Sequence, residues 1–546
     1  MKFPEIPVGG RLTHFLPEWE KITQENWVLS IIKEGYKLEF IQKPPFQGIK
    51  STLVNTKNLV LLKAEVNTLL EKNAIEIVSK SETQSGFYST LFLVKKKNGK
   101  MRPVINLRPL NRYLRKQHFK MDTLSKVLNL VKQNDWAFSL DLSDAYLHIP
   151  IFLKHRKYLR FCIQGTVYQF KVLCFGPTSS PRIFTKIISV VAAHLRKQSI
   201  RMAVYLDDWF SVNQSKEILF HDQEKMVNLL DRLGFIINAE KSELTPSQNI
   251  TYIGALFHLN QGKVFPTPER LQNLKLAILD LMRGQISARQ YLKILGIIAS
   301  CLELIPNSRL FMRPIQMHLL RVWIPSKMSL DFQIQCTHQL KYHLAWWLCT
   351  ANTMKGRSLK QNQEWVTITT DASKTGWGGH LKNQTAQGLW SNEFKNKHIN
   401  ILELEAVLRT IKHFSQVLKN KQVLIRTDNT TIVQYINKQG GTRSMELCIL
   451  TWKLWNFALQ NQMILKAAHI AGVKNFLADS LSRIQVKSTE WSLNVTVVET
   501  IFKHWGHPNI DMFATRQNRK TTVFCSWKQI TLRSLRMHCQ SLGKIS

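Results

Sequence analysis

The sequence predicts an α+β chain of several domains, and three observations carry that expectation. Apolar, strand-like runs end in carboxylates at widely separated places: Trp136 to Asp141, Met202 to Asp208 and Trp365 to Asp371. After Pro266-Thr267-Pro268 the pattern turns helical, with Leu271, Leu274, Ala277, Ile278 and Leu281 spaced for one buried stripe and helical spacing recurring to Trp347. A length of 546 residues at 44% apolar composition then suffices for several sizeable cores, roughly three or four domains.

Charge narrows the partner. Lys and Arg number 75 against 37 Asp and Glu, a formal +38, which favours a polyanion and most simply nucleic acid. No apolar stretch reaches the roughly 20 residues that span a bilayer. The opening Met1-Lys2-Phe3-Pro4-Glu5 lacks the apolar core of a secretory signal, so no membrane partner and an intracellular location, cytoplasm or nucleus, are expected. The eight cysteines form no Cys-x-x-Cys pair and no zinc-knuckle spacing, and are expected to be core residues.

The chemistry-bearing elements can be taken in chain order. Leu91-Phe92-Leu93-Val94 reads as a strand, Asn98-Gly99 as a two-residue hairpin turn and Met101 to Leu107 as the return strand. From Leu91 to Lys120 the chain carries ten Lys and Arg residues and no acid, so a clamp on triphosphate or template backbone competes with a plain solvated face. Trp136 to Leu140 leads into Asp141, while Asp144 reads as a cap on the next turn. Met202 to Leu206 delivers Asp207-Asp208 to the tip of a second hairpin. Adjacent carboxylates repel unless a cation lies between them, and Mg²⁺ takes such oxygen ligands. With Asp141 beside them they could hold two divalent ions roughly 4 Å apart, as nucleotidyl transfer requires.

Asp141-Leu142-Ser143-Asp144-Ala145-Tyr146 with Tyr205-Leu206-Asp207-Asp208 resembles the palm of retroviral and retrotransposon reverse transcriptases. The resemblance implies a right-hand polymerase of fingers, palm and thumb, with metal held by Asp141, the Leu142 backbone, Asp207 and Asp208. It also implies that Arg102 and either Lys95 or Lys96 grip the incoming triphosphate. Tyr146 would lie under the sugar and exclude a 2′-hydroxyl; its plain alternative is core packing. Phe175 and Gly176, in the segment from Phe170 to Pro181, would lie beneath the templating base and nucleotide, with Cys174 where the family usually has proline. Lys241 would donate a proton to pyrophosphate, and Thr251-Tyr252-Ile253-Gly254 resembles the primer-gripping hairpin.

A second acidic set follows the polar run Lys355 to Gln363, which reads as a linker. Asp371 ends a strand, Gly376-Trp377-Gly378-Gly379 looks like the turn into its neighbour, and Glu403 opens a helix from Ile401 to Val417. Asp428 ends the strand Val423 to Thr427, and Asp479 lies on a short helix after His469. Each acid has a plain alternative; Asn400-x-x-Glu403, for instance, has capping-box spacing. In this order they resemble the metal-binding set of ribonuclease H, an α/β domain that cuts RNA in RNA-DNA hybrids, with His469 matching its loop histidine.

The implied chain is an RNA-directed DNA polymerase with a fused ribonuclease H. Its cofactor would be Mg²⁺, two ions per site, with Mn²⁺ as the alternative. Its partners would be RNA template, DNA primer, RNA-DNA hybrid and deoxynucleoside triphosphates. Gly9-Gly10-Arg11-Leu12, Trp19, Gly35 to Phe40 and Pro508 to Arg516 further resemble DIRS-like retrotransposon polymerases, adding a recombinase or capsid-like protein of the same element as a partner. The expected domains are a lead-in (1–55), fingers and palm (56–262), a helical thumb or connection (263–350), a linker (351–363), ribonuclease H (364–487) and a C-terminal extension (488–546). Two competing functions are a non-catalytic, domesticated or decaying nucleic-acid-binding relic, and a nuclease that uses the palm as scaffold.

Overall fold

The computed structural model describes residues 6–53, 56–95, 101–359, 364–483, 492–512, 514 and 518–525. The chain divides into two compact units, Met1–Asn362 and Gln363–Ser546. Among the described residues no helix is long and apolar enough to cross a membrane, and the described cysteines are free thiols.

The first unit is organised around a four-stranded antiparallel sheet in the order Arg201–Tyr205, Asp208–Asn213, Trp136–Asp141, Glu243–Ser247. Side chains alternate across a strand, so successive residues serve opposite faces. Phe138, Leu140, Met202 and Trp209 enter one core, with the helices Ser180–Lys197 and Lys216–Arg232. Ala137, Ala203, Phe210 and Val212 enter another, built with Ile250, Tyr252 and Phe257 of a neighbouring antiparallel sheet. Both helices announce their starts: Pro181 occupies the first turn of one, and the Ser215 hydroxyl caps the other by accepting from Ile218 N–H.

The predicted basic hairpin pairs Leu91–Lys95 with Met101–Ile105, and its Asn98-Gly99 turn lies outside the described residues. The helical stretch begins with Pro268–Met282, whose Leu274, Ala277, Ile278 and Leu281 are buried as spaced. It continues through Ala288–Ser300, Ser308–Val322 and His338–Leu348.

Two stretches depart from the sequence expectation. Residues 1–55 read as a lead-in, yet Leu12, Trp19, Val28, Ile31, Ile32, Tyr36 and Leu38 are part of the same core as the strands of the four-stranded sheet. The polar run after Lys355 begins as strand: Arg357–Ser358 pairs with Lys263–Val264, and Arg357 forms an ion pair with Glu303 at 2.8 Å. Polarity marked solvent exposure there, and long-range pairing overrode it.

The second unit carries a five-stranded sheet in the order Gln384–Leu389, Gly376–Leu381, Trp365–Ala372, Gln422–Thr427, Ile464–His469. The last three are parallel neighbours, connected through the helices Ile399–His413, Thr430–Asn437 and Met445–Gln460. Gly376 to Gly379 is strand rather than turn. The helix Phe476–Arg483 lies so close that a Cβ on Gly378 would be 2.6 Å from Ala478 O and 2.5 Å from Leu481 Cβ. The glycine-rich pattern reflects helix-on-sheet contact.

Candidate active sites

In the first unit Asp141 ends its strand directly opposite Asp208, which opens the next one. Asp207 occupies the two-residue turn between Tyr205 and Asp208. Its neighbour Leu206 has φ +55°, a left-handed conformation that disfavours a side chain with Cβ and is held here by packing on the core. Leu142 N–H donates to Asp207 O at 3.1 Å, fixing the turn against the strand end.

Burial, then the charges of Asp207 and Asp141, push the Asp208 carboxyl up to about 7. A divalent cation would relieve this repulsion, but among the described residues Asp141, Asp207 and Asp208 do not bring one oxygen of each within 4.8 Å of the others, as the acids of the second unit do. Lys241 Nζ stands 3.5 Å from Asp141 Oδ1. Tyr146 is buried, with its ring 4.8 Å from that of Phe175 and 5.3 Å from that of Phe184; burial first, then Asp207, pushes its phenol up to about 12.

Phe175 remains 48% exposed. Gly176, at φ +128°, lies close under Ile105 O and Leu107 and accepts from Asn111 Nδ2 at 3.0 Å. Asp144 makes no side-chain cap and instead pairs with Lys72 at 2.6 Å. Lys96 lies outside the described residues, as do the side chains of Lys95 and Arg102, whose backbones pair with Met101 and Val94.

Two supporting groups, Ser242 and His148, escaped the sequence reasoning, as did the bond that Tyr252 of the expected primer-gripping hairpin makes to Asp208. Ser242 Oγ accepts from Asp141 N–H at 3.0 Å, and Tyr252 O–H donates to Asp208 O at 2.9 Å. His148 is buried with Nδ1 3.1 Å from Ala145 O, and Nε2 accepts from Ile236 N–H at 3.1 Å. Those bonds assign a neutral ring protonated on Nδ1. Burial pushes its pKa down to about 4.

An unfolded imidazole, near 6.5, binds protons more readily than this one. The stability present above that value is therefore lost as pH falls towards 4. His148→Gln keeps an acceptor and cannot be protonated. Its stability deficit against wild type in urea unfolding is expected to shrink by about 2 kcal/mol between pH 8 and pH 5. A deficit independent of pH would remove this protonation assignment.

The second unit brings Asp371, Glu403 and Asp428 together, with one carboxylate oxygen from each within 4.8 Å of the others. Parallel pairing of Trp365–Ala372 with Gln422–Thr427 sets Asp371 and Asp428 at the same end of the sheet. Glu403 projects from Ile399–His413, which is capped by His398, so the capping-box alternative for Glu403 is removed. Glu403 is buried, and its Oε2 has no hydrogen-bond partner. Burial, then Asp371 and Asp428, pushes its carboxyl up to about 9. Burial also raises Asp371, offset by the Ser482 hydrogen bond and reinforced by Asp428 and Asp479, to about 6. An orphaned buried oxygen among crowded carboxylates fits a divalent cation.

Asp479 lines the same cleft, of about 670 Å³, but lies outside that close trio and pairs with Arg483 at 2.6 Å. His469 is the exposed last residue of its strand, opposite Thr427, rather than part of a loop. Asn475 and Ser482, not foreseen, hold the two oxygens of Asp371 at 3.2 and 2.8 Å. Ser482→Ala frees Asp371 to turn, and is expected to cost about tenfold in any hybrid cleavage. Unaltered cleavage would show that Asn475 alone suffices.

Strands that deliver acids to a hairpin tip in one unit, and a mixed sheet with an acidic cage in the other, define a polymerase-like palm followed by a ribonuclease H-like domain. Comparison with known proteins agrees. Residues 94–257 match the family described as reverse transcriptase (RNA-dependent DNA polymerase). Residues 361–454 match the RNase H-like domain found in reverse transcriptase.

The chain is 26% identical over 437 residues to the enzymatic polyprotein of carnation etched ring virus, covering 75% of this chain and 61% of that protein. It is 24% identical over 435 residues to that of figwort mosaic virus, covering 77% and 61%. The match thus spans less than two thirds of those relatives. In fold it is similar to a foamy viral protease-reverse transcriptase in complex with double-stranded DNA, at TM-score 0.51 and 15% identity, over 85% of this chain and 98% of that one. A second foamy viral structure, of the dRH form with double-stranded DNA, gives TM-score 0.52 and 16% identity over 86% and 83%. The architecture is a right-hand polymerase fold followed by an α/β ribonuclease H-like domain.

Proposed function

We propose that the chain is an RNA-directed DNA polymerase with a fused ribonuclease H, dependent on Mg²⁺, from a DIRS-like retrotransposon. The observation that carries this is that each compact unit gathers acids at strand ends: Asp371, Glu403 and Asp428 with one oxygen of each within 4.8 Å of the others, and Asp141 opposite Asp208 with Asp207 in the turn beside them. In each set bound Mg²⁺ would activate the attacking oxygen and steady the leaving one.

The chain's own residues supply the rest. Tyr146 and Phe175 form an aromatic floor for a deoxynucleoside triphosphate, the basic hairpin supplies positive charge, and Lys241 stands beside Asp141 as the proton donor. In the second unit Asn475 and Ser482 orient Asp371 towards the cleft. Copying RNA leaves an RNA-DNA hybrid, and a tethered nuclease acts on it at high effective concentration. The Gly9-Gly10-Arg11 lead-in and the Pro508 to Arg516 segment support the DIRS-like assignment.

The test is primer extension on an RNA template and cleavage of an RNA-DNA hybrid, each with Mg²⁺ and with chelator, for wild type, Asp207→Asn and Asp371→Asn. With Mg²⁺, extension is expected to vanish only in Asp207→Asn and cleavage only in Asp371→Asn; in chelator both are expected to vanish for all three proteins. Template binding without extension by wild type would instead identify a non-catalytic relic, and cleavage without extension a nuclease on a scaffold.

A further inference from the structure

The lead-in lies outside the stretch matched by the reverse transcriptase family, residues 94–257, yet it is bonded to the segment that approaches the polymerase acids. Trp19, fully buried, donates its indole N–H to Leu233 O at 3.0 Å. Arg11 Nε donates to Gly234 O at 3.1 Å. Phe15 covers Gly234, whose φ is +88° and where a Cβ would lie 2.4 Å from the ring. Just before Arg11 the lead-in is itself anchored, Gly9 N–H donating to Lys72 O and Gly10 N–H to Leu147 O, both at 2.8 Å.

From Gly234 the chain runs a short way to the catalytic strand, bonded nearly throughout. Ile236 O accepts from Ser143 N–H at 2.8 Å, and Asn238 N–H donates to Asp141 O at 2.8 Å. Ser242 Oγ donates to Asn238 O at 2.7 Å and accepts from Asp141 N–H at 3.0 Å. Lys241 lies within this last loop. Residues 233–242 are thus fixed to the lead-in at one end and to the Asp141 backbone at the other.

We propose that the lead-in positions residues 233–242 in the polymerase site, with Trp19 and Arg11 as positioning residues that keep Lys241 and the Asp141 backbone where nucleotide addition needs them. The inference rests on the polymerase function proposed above. A purely structural role, satisfying the carbonyls of Leu233 and Gly234 just past the helix Lys216–Arg232, would lower stability without altering turnover per folded molecule.

The experiment measures single-nucleotide extension by the full chain for wild type, Trp19→Phe, Arg11→Ala and the exposed control Glu20→Gln. Active sites are counted by titration with primer-template, and Tm is recorded alongside. Trp19→Phe keeps a buried ring but loses the donor together with part of the indole's volume; Arg11 is half-exposed, so its truncation leaves no buried cavity and carries the test if the first variant does not fold. For both, kcat per active site is expected to fall about tenfold, with the nucleotide KM within about twofold of wild type, and Glu20→Gln to match wild type. Lower Tm with unchanged kcat, or a loss carried by KM, would overturn the positioning role alone. No extension by wild type would overturn the polymerase function and this inference with it.

Discussion

Asp208→Asn is expected to abolish primer extension, by at least about 10³-fold, while leaving the first unit as stable as wild type or more so in chelator. On the proposed mechanism the rate loss follows from removing a carboxylate where cation and developing charge would meet, an interaction worth several kcal/mol. The stability gain follows from the ground state. Asp208 is pushed up to about 7 by burial and by Asp207 and Asp141, so the folded protein holds an acid that an unfolded chain would ionise near 3.9.

The sign is that of a raised carboxyl: its contribution is fully present below the unfolded value and is lost as pH rises through the folded one. At pH 8 without metal the amide is expected to be favoured by on the order of 1 to 2 kcal/mol, after allowance for solvent screening of a partly exposed group. Thermal unfolding in EDTA at pH 5 and pH 8 measures it. A variant equally destabilised at both pH values would mean that Asp208 is not crowded by its neighbours.

Glu403→Gln is expected to remove hybrid cleavage by at least about 10³-fold and to separate metal binding from fold in the second unit. Glu403 is buried with one oxygen unpartnered, and its carboxyl is pushed up to about 9. Holding it protonated at pH 7 costs up to on the order of 3 kcal/mol relative to an unfolded Glu. The glutamine removes that cost. The contribution is again lost as pH rises, here between the ordinary value of 4.5 and about 9.

In chelator at pH 8 the variant is therefore expected to melt above wild type. A cation that binds only the folded state raises Tm, and Mg²⁺ is expected to do so for wild type and far less for Glu403→Gln. A variant that melts lower in chelator and still gains from Mg²⁺ would remove Glu403 from the metal site.

The acids themselves were legible because a strand that ends in a carboxylate is a local pattern. Asp141, Asp207, Asp208, Asp371 and Asp428 all lie at or beside the strand ends where the alternation places them. Their supports were not. Ser242 is 101 residues from Asp141, and Ser482 is 111 from Asp371, so neither has a neighbour in sequence to betray its role. His148 offered only a lone imidazole, and its partners are a helical carbonyl and an amide 88 residues away. Gly376 to Gly379 suggested a turn because glycine's freedom is the commoner reason for its use; the reason here is a helix laid against the strand.

The sequence by itself determined which carboxylates stand at strand ends, the helical stripe after Pro268 and the strongly basic character, since each depends on residues a few positions apart or on composition. Tertiary structure alone decided that Glu403 is buried and unpartnered, that Asp479 pairs with Arg483 beside the trio, and that a lead-in set apart by its sequence is built into the palm. Those outcomes depend on which distant surfaces exclude water from one another, a property of the packed chain that no local spacing encodes.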